Sequence, residues 1–187
     1  MSDLWLIRHG PTHQTTFTGW RDVPADLSDT AAVARLSGYL PAGAVVISSD
    51  LMRARDTATA IQGGRRRLPD DARLREFDFG AWDGLHHTEV AARDPELSRA
   101  FWDEAGDLRA PDGESWNMVE DRVWPALCAL RAAHGTIIAV MHMGAIMTAI
   151  RAATGCTPYQ AMSHKLDPLG ATCIAADGTV GPINHQP

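Results

Sequence analysis

Four short apolar runs alternate with longer segments of helical periodicity along this chain. The runs cover residues 4–7, 44–48, 136–141 and 171–176, and the helical patterns lie near 30–40, 51–62, 85–104, 114–133 and 144–154. A helix between two strands returns the chain to the same end of the sheet, so such strands pair in parallel. The pattern therefore predicts a three-layer α/β/α sandwich with a mostly parallel central sheet.

Length and charge narrow the possible classes of protein. At 187 residues the chain fits a single domain over 1–187. No apolar stretch reaches 18 residues, and no basic segment followed by an apolar one opens the sequence, so we expect a cytoplasmic protein without a membrane span. The formal net charge of −6 argues against nucleic acid or an anionic membrane as a partner. The oligomeric state is left open.

The cysteines and the extra histidines give little support for a metal. Cys128, Cys156 and Cys173 are odd in number and widely spaced, which favours small core residues over a disulfide framework. His86 and His87 are adjacent, and adjacent side chains diverge on a helix or a strand. We therefore predict no metal and no other cofactor.

Two of the predicted strands end in a histidine followed by glycine. Arg8-His9-Gly10 closes the run 4–7, and His142-Met143-Gly144 closes the run 136–141. The carboxyl ends of parallel strands are where open α/β sheets bind ligands, because backbone N–H groups there favour anions. Two imidazoles far apart in sequence can thus meet at one edge of the sheet.

Arg53 follows a third strand end. It lies in the first turn predicted after residues 44–48, where Ser49 or Asp50 could cap the helix. Arg53 should face the edge of the sheet, whereas Arg55 should face away. The alternative is a surface arginine that pairs with Asp50 or Asp56.

Glu76 lies among aromatic residues in the segment 74–84, between Leu74 and Gly84. Apolar surroundings raise the pKa of a carboxyl group, and that is one way in which a glutamate becomes a proton donor near neutral pH. The alternative is an exposed turn that carries incidental acids. The last ten residues, from Gly178, look like a turn and a loose tail.

Five sequence blocks together resemble the histidine phosphatase superfamily, the phosphoglycerate-mutase-like proteins. They are Arg8-His9-Gly10, Ser49-x-Leu51-x-Arg53-Ala54-x-x-Thr57, Leu74-x-Glu76-x-x-Phe79-Gly80-x-Trp82-x-Gly84, Gly113-Glu114-Ser115 and His142-x-Gly144. The blocks cover most of the chain in the family's order.

The resemblance implies a role for each matching position. His9 is similar to the family's nucleophile, which takes the phosphoryl group. Arg8, Arg53 and His142 resemble its phosphate clamp, in which we expect His142 as an imidazolium, and Glu76 resembles its general acid and base. The chemistry is sound without a metal, since guanidinium and imidazolium groups stabilise the charge on the transferred phosphoryl group. The expected partner is a small phosphorylated molecule.

The resemblance allows a phosphatase or a mutase. The segment from Phe17 to Asp22 is similar to one that lines the substrate site of the sugar-phosphate mutases, which makes Thr18 and Gly19 candidate substrate contacts. Thr15 is a third candidate, at a position where the mutase branch usually has an asparagine. Between Glu76 and Gly113, however, the longer basic insertion of the mutases is missing.

The basic insertion supplies the cations with which a mutase retains its intermediate. A site without that insertion should lose its phosphohistidine to water. We therefore expect a phosphomonoester hydrolase of the histidine acid phosphatase type, with a mutase as the alternative. A non-catalytic module that binds a phosphorylated ligand is a further alternative, although it would not need Glu76. The sequence leaves open whether four tryptophans line the pocket: Trp20, Trp82, Trp102 and Trp116.

Overall fold

The predicted strands form one sheet in the computed structural model, which describes residues 2–187. The strands are β1 (Leu4–Arg8), β2 (Val45–Ser48), β3 (Ile137–Met141) and β4 (Ala171–Ile174). Their spatial order is β2-β3-β1-β4, in which β1 and β2 both run parallel to β3 and β4 runs antiparallel to β1. The mostly parallel sheet is confirmed, and the carboxyl ends of β1, β2 and β3 share one edge.

Seven α-helices are present in the described chain. They are α1 (Thr30–Tyr39), α2 (Met52–Ile61), α3 (His87–Arg93), α4 (Pro95–Asp103), α5 (Trp116–His134), α6 (Met143–Thr154) and α7 (Pro158–Met162). Two short 3₁₀ turns, Ala72–Leu74 and Gly80–Trp82, lie in the segment that carries Glu76.

Helices cover both faces of the sheet. Leu4 and Leu6 of β1 belong to a core shared with α5 and α6, whereas Ile7 belongs to a second core shared with α1 and α2. This alternation follows from the two-residue period of a strand. Each buried leucine or isoleucine contributes roughly 1.5–3 kcal/mol, so both faces hold the sheet in place beneath the site.

Two helices differ from the prediction. The single helix expected over 85–104 is two helices, because Asp94 ends α3 and Pro95 occupies the first position of α4, where its missing N–H costs nothing. The short helix α7 was not predicted. Its sequence signal is a capping box, in which the side chains of Thr157 and Gln160 each accept a backbone N–H from the other residue.

The predicted cap of α2 is wrong. Leu51 precedes the helix without a side-chain cap, and Asp50 instead binds the guanidinium of Arg75 at 2.7 and 2.6 Å. Ser49 accepts the backbone N–H of Leu51 at 3.2 Å. The first turn of α2 is instead capped from a distant segment, since Oδ1 of Asp22 accepts the backbone N–H of Met52 at 2.7 Å.

The loose tail predicted from Gly178 is also wrong. Ala171 of β4 and His185 exchange both backbone hydrogen bonds, at 3.0 and 2.8 Å, and the N–H of Gly181 donates to the carbonyl of Cys173 at 2.7 Å. The last residues therefore pair with the outer edge of β4, whose backbone groups would otherwise lack partners.

Two further expectations concern the cysteines and the membrane. Cys128, Cys156 and Cys173 are free thiols, each partly buried. Within residues 2–187, no helix has both the length and the apolar character needed to cross a membrane. The cytoplasmic location and the single-domain boundary stay predictions.

Candidate active site

The two histidines predicted at strand ends lie side by side. His9 follows β1, His142 follows β3, and the two strands are neighbours in the sheet. Their ring centroids are 5.0 Å apart, and the side chains are 7% and 0% exposed. The sheet topology thus builds a pair of buried imidazoles from residues 133 positions apart.

Two contacts fix the tautomer of His9. Its Nδ1 lies 2.7 Å from the carbonyl oxygen of Gly10, and the Nε–H of Arg53 donates to its Nε2 at 3.2 Å. A carbonyl only accepts and a guanidinium only donates, so the ring proton belongs on Nδ1. Nε2 is therefore unprotonated, and its lone pair accepts the N–H of Arg53.

The pKa of His9 is lowered to about 3. Burial is the main cause, and the neighbouring guanidinium groups of Arg53 and Arg8 add to it, whereas the bond to Gly10 works in the opposite direction. His9 is therefore a neutral imidazole at neutral pH. That is the protonation state a nucleophile requires.

Arg53 is a buried residue of the site, and the alternative of a surface ion pair is wrong. Its side chain is 1% exposed, and besides His9 it donates to the carbonyls of Gly19 at 2.7 Å and Arg21 at 3.0 Å. Burial lowers its pKa from the usual arginine value. Arg55 is exposed, as predicted.

Thr57 links Arg53 to the loop after β1. Its hydroxyl donates to the carbonyl of Arg53 at 2.7 Å and accepts the N–H of Gly10 at 2.9 Å. Thr57 is part of the second sequence block that resembles the family, but the sequence predicted no role for it. It joins the two strand-end loops that carry the nucleophile and the guanidinium.

Arg8 lies on the other side of the cavity. Its Nη1 donates to the carbonyl of Leu166, while its Nε is buried and has no hydrogen-bond partner within residues 2–187. Burial lowers its pKa from the usual arginine value, opposed by the negative charges of Glu76 and Asp167. A half-buried guanidinium with a buried, unpartnered Nε–H is suited to an anionic ligand.

Glu76 is held by the amino end of α6. Its Oε2 accepts the N–H of Gly144 at 3.0 Å, and its Oε1 accepts those of Ala145 at 3.1 Å and Phe77 at 3.0 Å. Three amide donors thus surround the carboxyl group, in addition to the aromatic residues that the sequence predicted near it, of which Phe77 and Phe79 line the same cavity. The side chain of Glu76 is 8% exposed and lines the same cavity as His9.

The backbone of Glu76 is fixed by residues that sequence reasoning missed. Its carbonyl accepts hydrogen bonds from Nη2 of Arg122 at 2.7 Å and from Nε1 of Trp20 at 2.9 Å. Arg122 is in turn bound to both carboxylate oxygens of Glu114 at 2.8 Å. Arg122 lies on α5, eight residues after Glu114, which precedes the helix, and this spacing was the available sequence signal.

His142 differs from the prediction in its charge. Its pKa lies well below the ordinary histidine value, because the ring is fully buried and lies near His9 and Arg53. The ring is therefore neutral rather than an imidazolium in the free protein. Neither of its nitrogens has a hydrogen-bond partner among residues 2–187.

Arg8, His9, Arg53 and Glu76 border a cavity of about 210 Å³, whereas His142 lies behind its surface, next to the ring of His9. Of the three predicted substrate contacts, Thr18 lines this cavity. Gly19 contributes its carbonyl to Arg53, and Thr15 lines a neighbouring shallow pocket instead. All three stay predictions as substrate contacts.

The tryptophans divide between the cavity and its surroundings. Trp102 and Trp116 line the cavity, whereas Trp82 is a core residue with no exposed surface. Trp20 is 38% exposed and contacts the site only through the carbonyl of Glu76. His86, considered for a metal, caps α3, and within residues 2–187 no group of three His, Cys, Asp or Glu is arranged to hold one.

Comparison with known proteins agrees with this geometry. The family model of the histidine phosphatase superfamily (branch 1) matches residues 4–184. The chain belongs to this superfamily. Its membership rests on nearly the whole chain rather than on the motifs alone.

Curated relatives of this chain include proteins of different activity. It is 35% identical over 159 residues to the bifunctional protein Rv2228c of Mycobacterium tuberculosis, covering 80% of this chain and 43% of that protein. It is 31% identical over 163 residues to a metal-independent phosphoserine phosphatase of Arabidopsis thaliana, covering 80% and 67% of the two. It is 29% identical over 178 residues to a 2,3-bisphosphoglycerate-dependent phosphoglycerate mutase of Bartonella quintana, covering 87% and 86%.

Solved structures share the fold. Bacillus stearothermophilus YhfR superposes with a TM-score of 0.84 at 30% identity, over 97% of this chain and 95% of that one. The chain spans less than half the length of Rv2228c. The relatives include both phosphatases and mutases, so the family makes an enzyme plausible without fixing the reaction.

Proposed function

We propose that this member of the superfamily is a metal-independent hydrolase of small phosphomonoesters that acts through a phosphohistidine on His9. The observation that carries the proposal is the state of His9. Its Nδ1–H is bound to the Gly10 carbonyl, its pKa is lowered to about 3, and its unprotonated Nε2 accepts a hydrogen bond from Arg53 that a phosphate group can replace. Arg8 and Arg53 line the cavity beside His9, and the ring of His142 lies 5.0 Å from that of His9, so that these three side chains can serve as the phosphate-binding groups.

In the first step, Nε2 of His9 attacks the phosphorus atom of the ester. The N–P bond forms as the bond between phosphorus and the ester oxygen breaks, and a protonated Glu76 gives its proton to the leaving oxygen. Arg8 and Arg53 stabilise the charge on the equatorial oxygens, and His142 donates a ring N–H. The alcohol leaves, and Glu76 is a carboxylate.

In the second step, Glu76 takes a proton from water, whose oxygen attacks phosphorus. The N–P bond breaks, its electron pair returns to Nε2 of His9, and inorganic phosphate leaves. Glu76 is again protonated and His9 neutral, so the cycle closes without an external acid, base or metal. A positioned acid and base of this kind contributes about 10²–10⁴ in rate.

The charges along the cavity favour hydrolysis over mutase activity. Within residues 2–187, the arginines that line the cavity are Arg8 and Arg53, both at the phosphate-binding end. Three arginines lie between Glu76 and Gly113, and none of them lines the cavity. Arg93 donates to the Ala81 carbonyl at 3.0 Å, Arg109 donates to the Gly113 carbonyl at 2.8 Å, and Arg99 borders a neighbouring surface pocket on the other side of the Phe17 and Trp102 rings. A mutase must retain a doubly phosphorylated intermediate, and these positions supply no cation for its second anionic group.

The sharpest test uses Glu76→Gln with p-nitrophenyl phosphate, in chelator throughout. Nitrophenolate leaves without protonation, so the first step should survive while the attack of water is slowed about 10²–10⁴-fold. We expect a burst of about one nitrophenolate per protein and a phosphoenzyme that is stable in base and labile in acid. His9→Ala should give neither a burst nor a phosphoenzyme.

Three results would contradict the proposal. A phosphoenzyme in His9→Ala would place the nucleophile elsewhere. Loss of wild-type activity on chelation would exclude metal independence, and absence of turnover with every phosphate ester would favour the binding-module alternative. With 3-phosphoglycerate and a bisphosphate primer we expect free phosphate, and isomerised phosphoglycerate as the main product would establish the mutase alternative.

A further inference from the structure

The end of the cavity away from the phosphate-binding groups is walled by apolar side chains. Phe17 stacks on Trp102 with ring centroids 6.2 Å apart and planes inclined by 10°, and Phe79 lies 4.9 Å from Phe17. These three rings form an aromatic wall. The remaining apolar lining includes the methionines Met143, Met147 and Met162.

The methionines and the rings come from different elements. Met143 and Met147 lie one turn apart on α6, Met162 ends α7, and Trp102 lies on α4. Flexible thioethers adapt to irregular apolar shapes and make favourable contacts with aromatic rings. The space between them suits the apolar part of a ligand.

No charged side chain of the described residues lines this end. The charged or titratable lining residues are Arg8, His9, Arg53 and Glu76, which all belong to the phosphate chemistry. The polar lining consists of neutral threonines and Gln14. Arg21 lies outside the lining and donates to the hydroxyls of Thr16 and Thr18, at 3.0 and 3.3 Å. A second anionic group on the substrate would thus lose its hydration without gaining a cation.

The apolar wall continues outward. A second cavity of about 290 Å³ shares Trp102 and Met162 with the first and extends to Tyr159, which is 73% exposed. The charged residue on its lining is Asp103, an acid. This outer space has room for a leaving group longer than a three-carbon chain, and Asp103 disfavours a negative charge there.

We propose that this cavity selects phosphomonoesters of uncharged, apolar alcohols, with an aryl or medium-length alkyl group packed between the aromatic wall and the methionines. The inference rests on the proposed function. It adds the class of leaving group, which the phosphate-binding groups do not determine.

The test is hydrolysis of ethyl, n-propyl, n-butyl and n-hexyl phosphate, followed as phosphate release. Simple alkanols have similar acidity, so differences in kcat/KM report contacts rather than leaving-group chemistry. We expect kcat/KM to rise about threefold for each added CH₂ that becomes buried. 3-Phosphoglycerate, which has the same number of carbons as n-propyl phosphate, should be at least tenfold poorer, because its carboxylate finds no cation.

Variants locate the effect. Trp102→Ala should lower the ratio of kcat/KM for n-hexyl over ethyl phosphate by about tenfold, and Met162→Gln should lower it in the same direction. Tyr39→Ala is the matched control, since Tyr39 is an aromatic of similar exposure on α1, at 37% against 36% for Trp102. The control should keep the wild-type ratio.

Equal kcat/KM for ethyl and n-hexyl phosphate would overturn the inference, as would faster hydrolysis of 3-phosphoglycerate than of n-propyl phosphate. Either result would leave the proposed function standing, because phosphate would still be released through His9. If wild-type protein releases phosphate from none of these esters or from p-nitrophenyl phosphate, the proposed function itself fails, and the inference fails with it.

Discussion

The two ends of the cavity are built in different ways. At the phosphate-binding end, Arg53 and Glu76 are 1% and 8% exposed, and each is hydrogen-bonded to backbone groups of distant segments. At the leaving-group end, exposure ranges from 8% for Phe79 to 36% and 39% for Trp102 and Met143, and the wall is held by contacts between rings.

This difference separates chemistry from selectivity. Directional bonds to the backbone hold the reacting groups in one geometry before substrate arrives, which is what stabilisation of a transition state requires. Packing contacts at a half-exposed wall tolerate substitution with smaller cost to folding. We therefore expect variants at the phosphate-binding end to change the rate of every substrate, and variants at the leaving-group end to change the preference among substrates.

The largest effect should come from Gly144→Ala at the phosphate-binding end. A Cβ at this position would lie 2.5 Å from Oε1 of Glu76 and 2.6 Å from the ring of Phe77, so the carboxyl group must move. We expect kcat/KM to fall about 10²-fold for short and long esters alike, and the free energy of unfolding to fall by about 1–3 kcal/mol.

Gly38→Ala is the matched control. Gly38 lies in α1, and nothing is within 4 Å of the Cβ position. Alanine should raise the free energy of unfolding by about 0.5–1 kcal/mol without a change in kcat/KM. The contrast between the two ends requires that Glu76 be held in one position. Wild-type activity in Gly144→Ala would show that it is not.

The burial of His9 predicts an effect of pH on stability. In the unfolded chain this imidazole binds a proton below about pH 6.5, whereas in the folded protein its pKa is lowered to about 3. Between these values the unfolded state binds more protons, so stability falls as the pH falls. By pH 5 this should remove about 2 kcal/mol from the wild type relative to His9→Gln.

The measurement is urea denaturation of both proteins at pH 7.5 and pH 5. His142 is present in both proteins, so its own titration cancels to first order in the difference between their free energies of unfolding. An unchanged difference between the two proteins across this range would mean that His9 is as well solvated as an ordinary surface histidine. The phosphate-binding end would then lack the buried character described above.

The smallest expected effect concerns Arg122, whose guanidinium positions Glu76 by donating to the backbone carbonyl of Glu76. Arg122→Met should lower kcat for n-hexyl phosphate about tenfold with little change in KM, because the acid is displaced while the binding groups stay. p-Nitrophenyl phosphate needs no proton on its leaving group, so its burst phase should change less. The control is Arg73→Met, whose guanidinium pairs with the local Asp71. A rise in KM alone would contradict a positioning role.

The sequence predicted the reacting groups better than their surroundings. Apolar runs that end in His9 and His142 determine strand ends locally, and family motifs added Arg53 and Glu76. The helix break at Pro95 was readable but was missed, because the helical periodicity continues through it. The pairing of the last ten residues with β4 depends on a free sheet edge, which no local pattern reveals.

By itself, the sequence determined the strands, the order of alternating elements and the residue types able to transfer a phosphoryl group, because these follow from local periodicity and side-chain chemistry. Only the tertiary structure decided the neutral state of His9 and His142, the three amides on Glu76, the anchoring by Arg122 and the apolar wall. Each of these depends on burial and on contacts between segments distant in the chain, and desolvation and packing exist only once the chain has folded.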